Sequence, residues 1–309
     1  MADLTTKLSR LTLRNPAILA SGITGVSCES LKRASDGGAG AVTSKSVTMD
    51  ARKGHNNPIM VAFEGGFLNA VGYSNPGIDH ALQEFSSYDG EAPFIFSIVA
   101  KDAEEFGEIA RKADSLQACA AIEIVLSCPH TPGYGTMAGQ GTPQATSGIT
   151  RAVRQQTKKP LSVKLSPSIQ ALGEIAKAAE AAGADAVNMG NTAGPGMVID
   201  IERGQPVLAF KVGGISGPAL KPLAVRCVYD VYESVKIPVI GTGGVSTGRD
   251  ALEMMMAGAT AVGIGTAVHY RGPQVLGEIA REIGEWLDSH GYASPSEIIG
   301  IAHENEPRK

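Results

Sequence analysis

A chain of 309 residues can bury a large core, either as two ordinary domains or as one (β/α)8 barrel of ~250 residues with insertions. With 27 Lys and Arg against 31 Asp and Glu the net charge is -4, and no basic run occurs, which argues against a nucleic-acid partner and points to a small ligand. There is no run of ~18 apolar residues, and the opening MADLTTKLSRLTLRNP lacks both a signal peptide's apolar core and an amphipathic anchor, so a soluble, cytoplasmic protein without membrane contact is expected.

In chain order, strands are predicted at Ala17 to Ser21, Ala41 to Lys45, Pro93 to Val99, Ala121 to Cys128, Leu161 to Ser166, Ala186 to Asn191, Pro238 to Gly241 and Ala261 to Thr266. Helical patterns fall between them at Glu29 to Ser35, Ile78 to Tyr88, Ala103 to Leu116, Thr146 to Thr157 and Gly248 to Ala257. Three apolar stripes recur with helical period: Leu172, Ile175, Ala176 and Ala179; Leu220 through Val235; and Val275 through Leu287. Strand and helix in strict alternation predict a closed parallel (β/α)8 TIM barrel occupying 1–309 as one domain, with a doubly wound open sheet as the alternative. The phrases AAGADAV and MAGATAV each end a helix on Gly and re-enter a strand, as repeating units do. Residues 194 to 215 read as a small inserted β-hairpin turning at Arg203-Gly204-Gln205-Pro206, and 46 to 76 as a second insertion; both are expected to overhang the C-terminal face of the barrel.

Chemistry gathers at the strand ends. The fourth strand runs into Ser127-Cys128-Pro129 and a glycine-rich loop, which places the Cys128 thiol where parallel α/β proteins act and where it can serve as a base. The other cysteines read differently: Cys119 and Cys227 as structural, and Cys28 as an unpaired thiol before a helix. No C-x-x-C and no H-x-x-x-H spacing occurs, so no metal site, iron–sulfur cluster or disulfide framework is expected. Alternation sends Leu161, Val163 and Leu165 towards the helices, and Ser162 and Lys164 into the barrel. Buried ammonium groups at Lys164 and Lys45 need an anionic or strongly accepting ligand, or else a carboxylate such as the inward-facing Glu123. Glycines in IGTGGV (240 to 245) and GIGTA (263 to 267), after the last two strands, suit a phosphate. Asn69, Asn75, Asn188 and Asn191 are candidate amides for a polar heterocycle, or ordinary turn residues.

These segments in order, Asn15-Pro16, Ala20-Ser21-Gly22, Leu68 to Gly72, Asn75-Pro76-Gly77, Ser127-Cys128-Pro129, Lys164 to Pro167, Ser216-Gly217-Pro218, Gly241 to Val245 and Gly263 to Ala267, resemble the class 1 dihydroorotate dehydrogenase family, notably its archaeal, 1B-like members. The resemblance covers about residues 10 to 272. It implies a barrel holding FMN against Ala20, Ser21, Lys45, Ser46, Asn69, Lys164, Gly214, Ser216, Gly217, Gly243, Gly244, Gly265 and Thr266. It further implies substrate contacts from Lys45, Asn69, Gly72, Asn191 and Thr192, with Cys128 as catalytic base. The implied reaction is oxidation of dihydroorotate to orotate in pyrimidine biosynthesis. Implied partners are a second copy of the chain and a separate FAD and iron–sulfur electron-transfer subunit, since these cysteines cannot hold a cluster. The lack of an N-terminal extension argues against the quinone-linked class. Two positions depart from the family pattern, Val125 and His130, where asparagines are usual. Val125 leaves open a same-family oxidoreductase acting on another dihydropyrimidine or unsaturated ring, unless Gln140 or a water supplies the missing contact.

Overall fold

The computed structural model describes residues 1–127, 133–134 and 139–304. An antiparallel pair, β1 (Thr6–Leu8) and β2 (Leu11–Leu13), precedes β3 (Ala17–Leu19), α1 (Cys28–Asp36) and β4 (Ala41–Thr43). A first excursion forms β5 (Met60–Phe63) and β6 (Gly66–Asn69) before α2 (Ile78–Phe85) and β7 (Phe94–Ile98). Next come α3 (Ala103–Asp114), β8 (Cys119–Val125), α4 (Pro143–Gln156), β9 (Leu161–Leu165), α5 (Leu172–Ala181) and β10 (Ala186–Met189). A second excursion carries β11 (Ala193–Gly196), β12 (Ile199–Asp200), β13 (Gln205–Pro206) and β14 (Gly213–Ser216). The chain then runs through α6 (Lys221–Tyr232), β15 (Val239–Thr242), α7 (Gly248–Met256), β16 (Ala259–Ile264), α8 (Thr266–Arg271) and α9 (Val275–His290).

Strands β3, β4, β7, β8, β9, β10, β15 and β16 close into a parallel barrel, which decides against the open sheet. Every residue of β3, β4, β7, β9, β10 and β15 is buried, as strands covered on both faces require. Outward residues such as Ile122, Ile124, Val163 and Leu165 share one core with Ile149 and Val153 of α4, Ile175 of α5 and Val228 of α6. Each such side chain contributes roughly 1.5 to 3 kcal/mol by leaving water. Thr142 caps α4, its Oγ1 accepting from the Ala145 N–H at 3.2 Å, with Pro143 in the first turn. This cap starts α4 three residues ahead of the predicted Thr146.

The barrel floor is closed by β1 and β2, whose Leu8 and Leu13 pack with Ile18, Ala41, Ile95, Ala121, Ala186, Ile240 and Ala261. Alternation does not reveal this plug, because three-residue strands are too short for a period to show. At the other end, the two excursions join in one four-stranded sheet, β11-β14-β6-β5, with pairings Gly214↔Asn69 and Ile215↔Leu68 across its centre. It has its own small core of Leu68, Ala70 and Leu208, with Phe63, Phe210 and Ile215 against it. The inserted hairpin β12–β13 turns earlier than the sequence suggests. Asp200 Oδ1 accepts from the N–H groups of Glu202 and Arg203, both at 3.1 Å, so Gln205 and Pro206 already belong to a strand, paired as Asp200↔Gln205 and Ile199↔Pro206.

Candidate active site

Above the apolar floor the barrel interior becomes polar, through residues on the inward parity of successive strands. Ser97 Oγ donates to Glu123 Oε1 at 3.0 Å, and Asn188 Nδ2 donates to Glu123 Oε2 at 2.7 Å. Thr242 Oγ1 donates to Asn188 Oδ1 at 2.9 Å, and the Ser46 and Ser97 hydroxyls lie 3.0 Å apart. Lys164 joins this layer from β9, its Nζ donating to Ser21 Oγ at 2.8 Å and standing 3.8 Å from Glu123 Oε1, with side chains only 5% and 3% exposed. The buried lysine therefore has the inward carboxylate as its partner and still reaches the strand ends.

A cavity of about 460 Å³ opens directly above, a normal size for a small-molecule site. Ser21, Lys45, Ser46, Asn69, Gly72, Lys164, Asn191, Thr192, Ser216 and Thr266 line it, drawn from five barrel strand ends and the roof sheet. Beside it a hollow of about 80 Å³ is lined by Ala20, Gly217, Gly243, Gly244 and Gly265, and shares Ser21, Lys164, Asn191, Thr192, Ser216 and Thr266 with the larger space. Gly244 lies at φ 77, and a Cβ there would meet Lys221 Cβ at 2.5 Å, so only glycine allows this approach. At Gly265 an added Cβ would project to 3.1 Å from Ile23 and 3.9 Å from Ala20, into the hollow itself.

The structure thus brings together nearly all the residues singled out from the sequence. Gly214 stands one layer back: it lines neither space, but its carbonyl accepts from Asn69 Nδ2 at 3.4 Å, and a Cβ there would strike Thr192 Oγ1 at 2.1 Å. Asn191 Nδ2 donates to Ser127 Oγ at 2.7 Å, tying the residue that follows Leu126 to the cavity wall. Cys128 and His130 lie outside the described residues.

Several sequence candidates turn out to be structural. Asn75 Oδ1 accepts from the N–H groups of Thr48 at 3.2 Å and Gly77 at 2.9 Å, which shapes the turn before α2. Asn188 is buried within the barrel holding Glu123, not on the rim. Gln140 gives its amide to the Ala100 and Lys101 carbonyls at 2.9 and 2.8 Å, so it does not replace an amide at Val125. Val125 is 2% exposed and packs with Val99, Tyr134 and Tyr73 as an apolar wall of the cavity. Burial pushes the Cys119 and Cys227 thiols up to about 11 each, which makes them inert packing groups. Ser97 went unnoticed in the sequence, although a serine inside the run FIFSI was the available signal. Tyr73, Phe67 and His269, which also line the cavity, had none. Burial lowers the His269 pKa from 6.5, so this lining ring favours its neutral form. Among the described residues, no group of three or more His, Cys, Asp or Glu is placed to hold a metal ion.

The closed barrel and its strand-end cavity define a (β/α)8-barrel enzyme whose chemistry sits at the C-terminal face. Residues 3–287 match the family described as dihydroorotate dehydrogenase, and the chain belongs to that family. It is 43% identical over 302 residues to the dihydroorotate dehydrogenase B (NAD(+)) catalytic subunit of Methanothermobacter thermautotrophicus, covering 97% of this chain and 99% of that one. The protein of the same description from Pyrococcus abyssi is 45% identical over 289 residues, covering 94% and 95%. The crystal structure of an Eimeria tenella dihydroorotate dehydrogenase in complex with ferulenol superposes with a TM-score of 0.83 at 23% identity, covering 98% of this chain and 89% of that one, and shares the fold.

Proposed function

We propose that this chain is an FMN-dependent dihydroorotate dehydrogenase, oxidising dihydroorotate to orotate in pyrimidine biosynthesis. The observation that carries the reading is the seam at Lys164, where the large cavity and the glycine hollow share one set of walls. A ligand with an anionic tail and a flat polar ring can lie across that seam, tail among the glycines and ring over the lysine. FMN has this form, and the residues fit it: Gly265 sends no side chain into the hollow, where an added Cβ would crowd Ile23 at 3.1 Å. In this assignment Gly217, Gly243, Gly244, Gly265 and Thr266 hold the phosphate. Ala20, Ser21, Lys45, Ser46, Lys164 and Ser216 border the ring, with Gly214 one layer behind them.

When bound, FMN supplies a two-electron acceptor for hydride. The chain's own residues do the rest. Lys45 faces the substrate carboxylate, while Asn69, Gly72, Asn191 and Thr192 fix the pyrimidine ring through amide, backbone and hydroxyl groups. The Cys128 thiolate takes the proton from C5 as hydride leaves C6, so the substrate loses one proton and one hydride and gains a ring double bond. Lys164 offsets the negative charge that arrives with the hydride. The Asn191–Ser127 bond at 2.7 Å anchors the strand end that leads to Cys128.

The named relatives are catalytic subunits of NAD+-linked enzymes. For this chain we infer a homodimer in the cytoplasm, served by a separate FAD and iron–sulfur subunit. Anaerobic mixing of the FMN-loaded protein with dihydroorotate should bleach the yellow flavin, and an unbleached flavin would sink the proposal. Cys128→Ser should slow bleaching by roughly 10²- to 10⁴-fold, the range for losing a positioned base.

A second reading, a related ring as substrate, is favoured by one observation, the apolar Val125 wall. A pyrimidine amide left unpaired there costs about 1 to 3 kcal/mol. Val125→Asn should then raise turnover of dihydroorotate, and no gain would remove the reason for this alternative.

A further inference from the structure

We propose that Glu123 is a positioning residue that sets the reduction potential of the bound flavin by sharing Lys164 with it; this rests on the FMN reading above. Both carboxylate oxygens are held by neutral donors, Oε1 by Ser97 Oγ at 3.0 Å and Oε2 by Asn188 Nδ2 at 2.7 Å. Asn188 is itself fixed by Thr242 Oγ1 at 2.9 Å, and the Ser97 N–H donates to Ser44 Oγ at 3.0 Å, so the carboxylate of β8 is clamped by adjacent β7 on one side and by β10, two strands away, on the other. The lysine pairs with this carboxylate as a charge without hydrogen-bonding to it. Its Nζ stands 3.8 Å from Oε1, well beyond the ~2.7 to 2.9 Å of a charge-assisted bond, and spends a hydrogen bond on Ser21 instead.

Lys164 is thus placed between a fixed negative charge below and the cavity above. In a buried site a charge at this distance acts strongly on its neighbour. With Glu123 present the pair is neutral overall and gives a reduced, anionic ring only the local benefit of the nearer ammonium. Without the carboxylate the same lysine would present a full uncompensated positive charge, and the equilibrium would shift towards the ring that has gained a hydride. Glu123 therefore holds the potential down and leaves the flavin able to pass electrons on.

Glu123→Gln separates this role from a structural one. A glutamine can accept from Ser97 and donate to Asn188 Oδ1 once that amide turns over, with Asn188 Nδ2 then donating to the Thr242 hydroxyl. The hydrogen-bonded layer survives and only the charge is lost. Ser97→Ala does the reverse, removing a bond while keeping the charge.

The test is the two-electron potential of the flavin in the FMN-loaded wild type, E123Q, E123D and S97A, measured anaerobically against reference dyes. E123Q should shift the equilibrium towards the reduced flavin by at least tenfold, or ~30 mV. E123D draws the carboxylate back by one methylene and should rise by a smaller amount, which keeps the test decisive if E123Q does not fold. S97A should move less than either. An FMN-loaded E123Q or E123D with a potential at or below that of wild type, or S97A moving as far as E123Q, overturns this inference alone. A wild-type chain that takes up no FMN overturns both it and the reading on which it rests.

Discussion

At the scale of single residues, Lys164 and Glu123 settle a question their positions raise together. A lysine on the inward face of a barrel strand needs either a ligand or a carboxylate, and this one has the carboxylate within 3.8 Å while still lining the cavity. Removing the ammonium leaves Glu123 buried without its counter-charge. Lys164→Ala should therefore cost about 3 to 5 kcal/mol of stability, read from the denaturant midpoint, quite apart from any loss of flavin. Two histidines make a separate prediction. Burial, with Arg52 nearby, lowers the His55 pKa from 6.5, and burial alone lowers that of His269. The unfolded chain takes up protons on these rings before the folded chain does, so stability should fall as pH drops from 6.5 towards the lower folded-state values. Paired thermal melts at about pH 7.5 and about pH 5.5 should show the loss, and His55→Gln with His269→Gln should reduce it.

At the scale of elements, the molecule depends on pieces whose sequence signals are short. The β1–β2 pair closes the floor with Leu8 and Leu13, and Leu13 is fully buried. Leu13→Ala should cost about 2 to 5 kcal/mol by chemical denaturation, the range for a large aliphatic side chain removed from a core. A change within experimental error would show that the plug does not support the barrel. The roof sheet is the counterpart at the other end. Its central pair β14–β6 brings Ser216 and Asn69 to the cavity from two insertions far apart in the chain, and the Asn69 Nδ2 bond to the Gly214 carbonyl ties them together. Thr142 caps α4, the next helix in the chain after Cys128. Thr142→Ala should lower stability by about 1 kcal/mol.

At the scale of the whole molecule, the proposed division of labour puts substrate oxidation in this chain and electron export in a partner. The isolated FMN-loaded chain should be reduced by dihydroorotate yet be reoxidised slowly by NAD+, with the partner subunit restoring the rate; fast reoxidation of the chain alone would refute the division. All eight barrel strands were legible in the sequence, because strands buried on both faces read as apolar runs and their helices repeat with a period that no other element shares. Glu123 and Lys164 were legible too, since alternation alone assigns them to the interior. What alternation cannot supply is distance. Asn188 and Asn191 stand three residues apart at the end of one predicted strand, yet one clamps Glu123 inside the barrel and the other binds Ser127 at the cavity. The union of the two insertions, the earlier turn at Asp200 and the floor plug likewise rest on contacts between distant segments. Sequence by itself determined the repeating units, the inward faces and the strand ends where chemistry gathers, because these follow from local periodicity. Only the tertiary structure decided which polar groups satisfy one another and which are left facing the cavity, because closing the barrel puts strands side by side that are far apart in the chain.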